Sequence, residues 1–164
     1  MKLTLPHRRR ANSDREKNPA SPHFELGRRG EALALEYLER AGYQIVAANF
    51  SIPIGRNTRD AIVNAEIDIV AYDGPVLCFI EVKTRASDDF APPQVNVDLR
   101  KRRQIARAAR GYRRMLRLTA APYRYDVVTV VSPSDGSKPR IELLKNFWTD
   151  KKLRKRRWSD AYWD

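Results

Sequence analysis

Cysteine occurs once in the 164 residues, at Cys78, and histidine twice, at His7 and His23. A single thiol makes no internal disulfide, and this sparse usage fits a reducing cytoplasm. Both histidines precede the first apolar segment, so a Cys/His zinc site and a Ser-His-Asp hydrolase triad are excluded from the folded part. No run of about 18 or more apolar residues exists, so nothing reads as a membrane span. The opening MKLTLPHRRRANSDREKNPASPH is basic but lacks the apolar core of a signal peptide, which argues against secretion. Acids are outnumbered, 20 Asp and Glu against 32 Lys and Arg, for a formal charge of +12. That excess favours a polyanionic partner, nucleic acid or an anionic membrane surface.

What remains is enough for one domain with a core. Residues 1–22 read as a basic disordered tail, 23–147 as the folded domain and 148–164 as a charged, aromatic C-terminal tail. A helix is expected from Phe24 to Ala41, stopped by Gly42. QIVAANF reads as a strand, and SIPIGRNTRDAIVNA as mostly loop because of its Pro, Gly, Asn and charges. EIDIVA and VLCFIEVK are strands joined by the turn signal Tyr72-Asp73-Gly74-Pro75. The polar SDDFAPPQ leads to a basic helix from Val97 to Leu118, and RYDVVTVV and RIELL are further strands. The order α-β-β-β-α-β, with a short final strand, predicts an α/β fold: a mixed central sheet flanked by helices.

Chemistry concentrates in the two central strands. Alternate residues of a strand share a face. Cys78, Ile80 and Val82 therefore take one face, and Leu77, Phe79, Glu81 and Lys83 the other. Glu66, Asp68 and Val70 are expected opposite the face of Ile67, Ile69 and Ala71. A tight turn at Asp73-Gly74 sets Asp68 opposite Phe79 and diagonal to Glu81, which brings Asp68, Glu81 and Lys83 to one side of the sheet. On the first helix, Glu31 projects with Gly27, Ala34, Leu35 and Leu38, on the stripe that should pack inward. A carboxylate there needs a partner or a cation. Convergent carboxylates repel, and a hard divalent cation such as Mg²⁺ relieves the repulsion. Glu31, Asp68 and Glu81 are the candidate ligands, and Lys83 is placed to position water or steady developing negative charge.

An Asp, a turn and then Glu-x-Lys resembles the PD-(D/E)XK nuclease superfamily. The ordered set GRRGEALALEYLERAGYQIVAANF, EIDIVAYDGPVLCFIEVKTR, RKRRQIARAARGY and RYDVVTVV resembles, more narrowly, the YraN-like family of bacterial proteins. The resemblance covers about residues 24–147. It implies a restriction-endonuclease-like fold similar to Holliday junction resolvases, with DNA as partner and a homodimer by analogy of fold. It further implies Glu31 as the helix carboxylate, Asp68 and Glu81 as metal ligands, and Lys83 as the catalytic lysine. Glu66 also matches a family position. Two departures stand out: Ala65 occupies a place where the family usually has Gly, and the connection from Asn49 to Glu66 is long. Ala65 would be strained if that position needed positive φ.

Simpler readings compete. Glu81 and Lys83 on an exposed edge would be an ordinary surface pair, but Phe79, Ile80 and Val82 argue for burial. Glu31 near a helix N-terminus is also favoured by the macrodipole. Cys78 reads as core. Between Asp98 and Asp126 there is no acid. Ile105, Ala108, Ala109, Tyr112 and Leu116 form an inward stripe there, while Arg100, Lys101, Arg102, Arg103 and Arg107 are candidates for phosphate contact. Gln104 and Tyr112 receive no catalytic role. Trp158, Tyr162 and Trp163 beside KKLRKRRW suit either nucleic-acid stacking or a solubilising terminus. The leading expectation is a cytoplasmic, Mg²⁺-dependent endonuclease on DNA, branched DNA included. Its rivals are a non-catalytic nucleic-acid-binding module with the same fold and a basic scaffold protein.

Overall fold

Ser21 caps the first helix: its hydroxyl accepts the Phe24 N–H at 3.2 Å, and Pro22 supplies the preset φ of a first turn. The computed structural model describes residues 21–86, 97–133 and 135–153. Residues 1–20, the whole SDDFAPPQ connection and the segment from 154 onward lie outside these residues. Helix α1 spans Pro22–Arg40, and Gly42 leaves it at φ 88°. Strands β1 (Gln44–Arg56), β2 (Ile62–Asp73) and β3 (Val76–Arg85) follow. Helix α2 (Leu99–Met115), β4 (Tyr123–Val131), β5 (Arg140–Trp148) and a 3₁₀ turn, Asp150–Leu153, complete the fold.

The five strands form one sheet in the order β1-β2-β3-β4-β5. Only β3 and β4 are parallel, since α2 makes the crossover between them; the other neighbours are antiparallel. This is the expected mixed sheet with a helix on each face. Ala34 and Leu38 of α1 pack with Ile69, Cys78, Ile80, Val128 and Val130 on one face. Ile105, Ala108, Ala109 and Tyr112 of α2 pack with Leu77, Phe79, Tyr125 and Val127 on the other. The alternation expected along β3 therefore holds, and Cys78 is core. Tyr112 stands edge-on to Phe50 and Phe79, with centroids 5.0 and 5.8 Å away, which gives it a packing role.

Four expectations need correction. First, SIPIGRNTRDAIVNA is not mostly loop. β1 continues to Arg56 and β2 starts at Ile62, so the stretch is a long hairpin. Ile52 and Ile54 alternate toward α2, and an added Cβ at Gly111 would press on Ile52. Pro53 is compatible because β1 is an edge strand. The turn is Asn57–Ala61, where Asn57 Oδ1 accepts the N–H groups of Arg59 and Ala61 at 2.9 and 3.0 Å. Second, the β2–β3 register is two residues from the expected one: Val70, not Asp68, faces Phe79, because Asp73 pairs with Val76 around Gly74. A two-residue shift preserves the face, so Phe79 and Val70 still share it.

Third, Leu116 is exposed, since α2 has ended at Met115. Fourth, ordered structure passes residue 147. Trp148 closes β5, is buried and stacks on Tyr125 at 4.9 Å, and Asp150 accepts the hydroxyls of Tyr123 and Tyr125, both at 2.9 Å. Ala65 adopts no positive φ; it is buried in the α2-side core, so the strain anticipated there is absent.

At the turn end of β2 and β3, a charge network centred on the buried Asp126 ties β2, β4 and β5 to the α1–β1 connection. Arg124 Nε donates to both oxygens of Asp126, each at 2.9 Å, and its Nη2 reaches Asp73 at 2.6 Å and the Tyr43 hydroxyl at 2.8 Å. Lys145 joins Asp73 at 2.8 Å, and Asp126 also accepts the Asn146 N–H at 2.7 Å, where β5 bulges. These donors, led by Lys145, hold the Asp73 carboxyl down at about 2.

Candidate active site

The site begins where two strands part. β2 and β3 pair from Asp73/Val76 to Ile69/Ile80, and their ladder stops there. β3 continues against β4 as far as Arg85, while β2 follows β1 outward. The expected alternation on β2 breaks at this fork. Ile69 and Ala71 belong to the α1-side core, whereas Ile67 and Ala65 pack with Val70 on the α2 side. Asp68 lies at the switch, and its Oδ2 accepts the Val82 N–H of β3 at 2.7 Å. A side chain thus takes a backbone donor that a continued ladder would have used.

Glu81 is next to this point and rises toward α2. Its side chain is 3% exposed. Lys83 Nζ donates to Oε1 at 2.8 Å, and both residues are on the same strand face, as their spacing requires. On the other side Lys101, from the first turn of α2, brings Nζ to 3.1 Å from Oε2. That contact is an ion pair without hydrogen-bonding geometry, so Oε2 is buried with no hydrogen-bond donor. Asp98 caps α2 by accepting the Lys101 N–H at 2.8 Å, which anchors the turn that carries the lysine.

Glu31 is half-buried on the side of α1's Gly30–Ala34–Leu38 stripe. The helix gets close to β3 because residue 30 is glycine: an added Cβ would overlap the Thr84 side chain. Glu31 adds to the electrostatic field on Asp68, and Glu66 to that on Lys101. The structure thus brings Glu31, Glu66, Asp68, Glu81 and Lys83 into one electrostatic neighbourhood and adds Lys101 to it. Burial and the adjacent Glu81 carboxylate push the Asp68 carboxyl up to about 7. Burial pulls the Lys101 amine down, but Glu81, Asp68 and Glu66 outweigh it and the net shift is upward.

Asp68 is therefore held at a cost to the fold. Its folded pKa lies above the unfolded value, so the folded state binds the proton more tightly. Stability falls as pH rises from about 4 to about 7, and the penalty persists above that. Asp68→Asn keeps an acceptor for Val82 and removes the charge. We expect it to raise stability at pH 8 by about 2 kcal/mol, discounted for partial exposure and the shared charge, and to leave it unchanged near pH 4. Urea melts of both proteins at the two pH values check this; equal gains at both would place the effect outside ionisation.

Among the described residues no three Asp, Glu, Cys or His side chains already converge to hold a metal. The donor set still fits a hard cation: two neighbouring carboxylates from different strands, one with a buried oxygen that lacks a donor. At present ammonium groups stand on both oxygens of Glu81.

The arginines of α2 divide. Arg102 Nε donates to Val97 O at 2.6 Å, and its guanidinium lies 5.4 Å from the Phe147 ring centroid, so it fastens the helix to β5. Lys101 belongs to the site. Arg100 and Arg107 are exposed and Arg103 is half-buried; with the exposed Arg110 and Arg114 they recur every three or four residues along one helix side. The sequence reading gave Lys101 a phosphate contact and did not foresee its pairing with Glu81, and it missed Arg110 and Arg114 as parts of the stripe. The signal for the first was a lysine in a first helical turn, where the macrodipole disfavours a cation.

Residues 30–130 match the profile of the uncharacterised protein family UPF0102. UPF0102 proteins of Koribacter versatilis, Chlorobium limicola and Geobacter metallireducens are 43%, 37% and 41% identical over 124, 144 and 121 residues. Those alignments cover 76%, 87% and 74% of this chain and 79%, 95% and 89% of the relatives. Among solved structures, that of SSO0001 aligns with 81% of this chain and 56% of its own length, at 12% identity and a TM-score of 0.37. No described helix is long and apolar enough to cross a membrane. By the family match and these identities, the chain belongs to the UPF0102 family.

Proposed function

We propose that the protein is a cytoplasmic, Mg²⁺-dependent nuclease that hydrolyses DNA phosphodiester bonds, branched DNA among its substrates. The observation that carries the reading is the strand fork. There Asp68 feels the charge of Glu81, Glu81 is buried with Oε2 outside any hydrogen bond, and Lys83 shares its strand face. Asp68 and Glu81, with Glu31 nearby, would hold the cation. When bound, Mg²⁺ polarises a phosphoryl oxygen and lowers the pKa of its water. The chain's own part is to fix the carboxylates and to present the Lys83 ammonium to the negative charge that develops at the phosphate. Cleavage of linear, flapped and four-way DNA in Mg²⁺, compared with Asp68→Asn and Glu81→Gln, tests the assignment; undiminished cleavage by both variants would sink it.

The arginine side of α2 supports the substrate class. Arg100, Arg103, Arg107, Arg110 and Arg114 extend over about 21 Å of helix, some six base pairs of duplex rise, starting at the turn that carries Lys101. No acid in α2 neutralises them. If all five meet phosphates, log Kd against log salt has a slope of magnitude about 4.5, and Arg107→Gln lowers it by about 1. Fluorescence anisotropy over a salt series measures this; a slope near zero would remove DNA as the partner. A second reading, a non-catalytic DNA-binding module, is favoured by the two lysines on Glu81 and the lack of a ready three-ligand cluster among the described residues. It predicts the same salt slope with no cleavage.

A further inference from the structure

Lys101 is in an unfavourable place unless something compensates it. It lies in the first turn of α2, where the helix dipole repels a cation, and the turn contains no acid of its own. Its side chain is 30% exposed, so it has surrendered much of its hydration. The compensation is Glu81, whose Oε2 is 3.1 Å away and has no hydrogen-bond donor. The other oxygen is taken by Lys83, and Asp68 Oδ2 by the Val82 N–H. Of these contacts, two lie within β2 and β3. Lys83 shares a strand face with Glu81, and the Val82 N–H is backbone. The contact with Lys101 spans from a different element through a long flexible side chain. It can open without unpairing the sheet, as that of Lys83 can, and it is the contact that ties Glu81 to α2.

We infer that Lys101 is a built-in counter-ion that occupies the cation position at Glu81 and must withdraw before Glu81 binds a divalent ion. The inference rests on the metal-site reading above and adds the control of that site. A withdrawn ammonium would stand at the head of the arginine stripe of α2, free to meet an anionic ligand. Cation and phosphodiester binding are then coupled through one side chain, each favouring the other.

The test is calorimetric titration of the full chain with MnCl₂ alone, for wild type, Lys101→Met, Lys101→Gln and Asp68→Asn, with thermal melts of each protein. Removing a charge that competes for the same oxygen is expected to tighten Mn²⁺ binding by roughly tenfold. Without metal both Lys101 variants should melt below wild type, and Mn²⁺ should close the gap. Lys101→Gln puts a neutral amide in place of the ammonium and secures the result if Lys101→Met folds poorly. Binding by the Lys101 variants where wild type shows none would also support the inference. Equal or weaker Mn²⁺ binding by both Lys101 variants, with wild-type binding intact and lost in Asp68→Asn, would overturn it while leaving the metal site in place. No Mn²⁺ binding by wild type or either Lys101 variant would overturn the metal-site reading and this inference with it.

Discussion

Lys83→Met is expected to lower the single-turnover rate of Mg²⁺-dependent DNA cleavage by about 10²- to 10³-fold. The side chain is 38% exposed and pairs with Glu81, so the fold should survive the change. DNA affinity should remain within roughly twofold, because one of several cations is lost and the α2 arginines persist. The split between rate and affinity is the informative part. A residue that merely binds substrate would move both. Glu81→Gln should also cost about 10³-fold, and the double variant little more than the worse single one, as for groups that act as a unit. Rapid-quench cleavage assays with anisotropy in parallel check all three; an unchanged Lys83→Met rate would reduce the pair to a structural ion pair.

Arg124→Met is expected to destabilise the protein by about 3–5 kcal/mol, the cost of leaving a buried carboxylate without its counter-ion. Asp126 is fully buried, and Arg124 supplies two of its hydrogen bonds. Asp126 also holds the Asn146 N–H, so loss of the guanidinium strands a charge that the β5 bulge still needs. Asp126→Asn in the same background should recover part of the loss, because the uncompensated charge is gone. Urea unfolding of the two single variants and the double one measures the coupling. Strict additivity would show that the pair does not interact energetically. The network lies at the turn end of β2 and β3, away from the strand fork, so DNA cleavage by the folded Arg124→Met fraction should be close to wild type.

Most of the framework was legible from local patterns. Strand alternation placed Cys78, Ile80 and Val82 inward on one face and Glu81 with Lys83 on the other, and the α1-side core confirms it. Helix periodicity found Ala34 and Leu38 on α1 and the Ile105–Tyr112 stripe on α2. Where the reading failed, a nonlocal contact had outweighed local chemistry. Pro, Gly and charge made residues 51–65 read as loop, yet Ile52 and Ile54 pack on the α2-side core and the hairpin forms. The Asp73-Gly74 turn gave the right face but a register off by two, because turn residues alone do not say which of two adjacent pairs closes the ladder.

By itself, then, the sequence determined the order of elements, the two sheet faces, the positive charge and the residues from which a site could be made. Each of these is written in short-range periodicity or in composition. Only the tertiary structure decided that β2 leaves β3 at Asp68, that Lys101 joins Glu81 while Arg102 fastens α2 to β5, and that Arg124 gathers Asp73, Asp126 and Tyr43. Those choices depend on which side chains from distant segments meet once the chain is packed. A lysine in a basic run looks the same in sequence whether it faces solvent or a buried carboxylate; the packing of α2 on the sheet sets the difference.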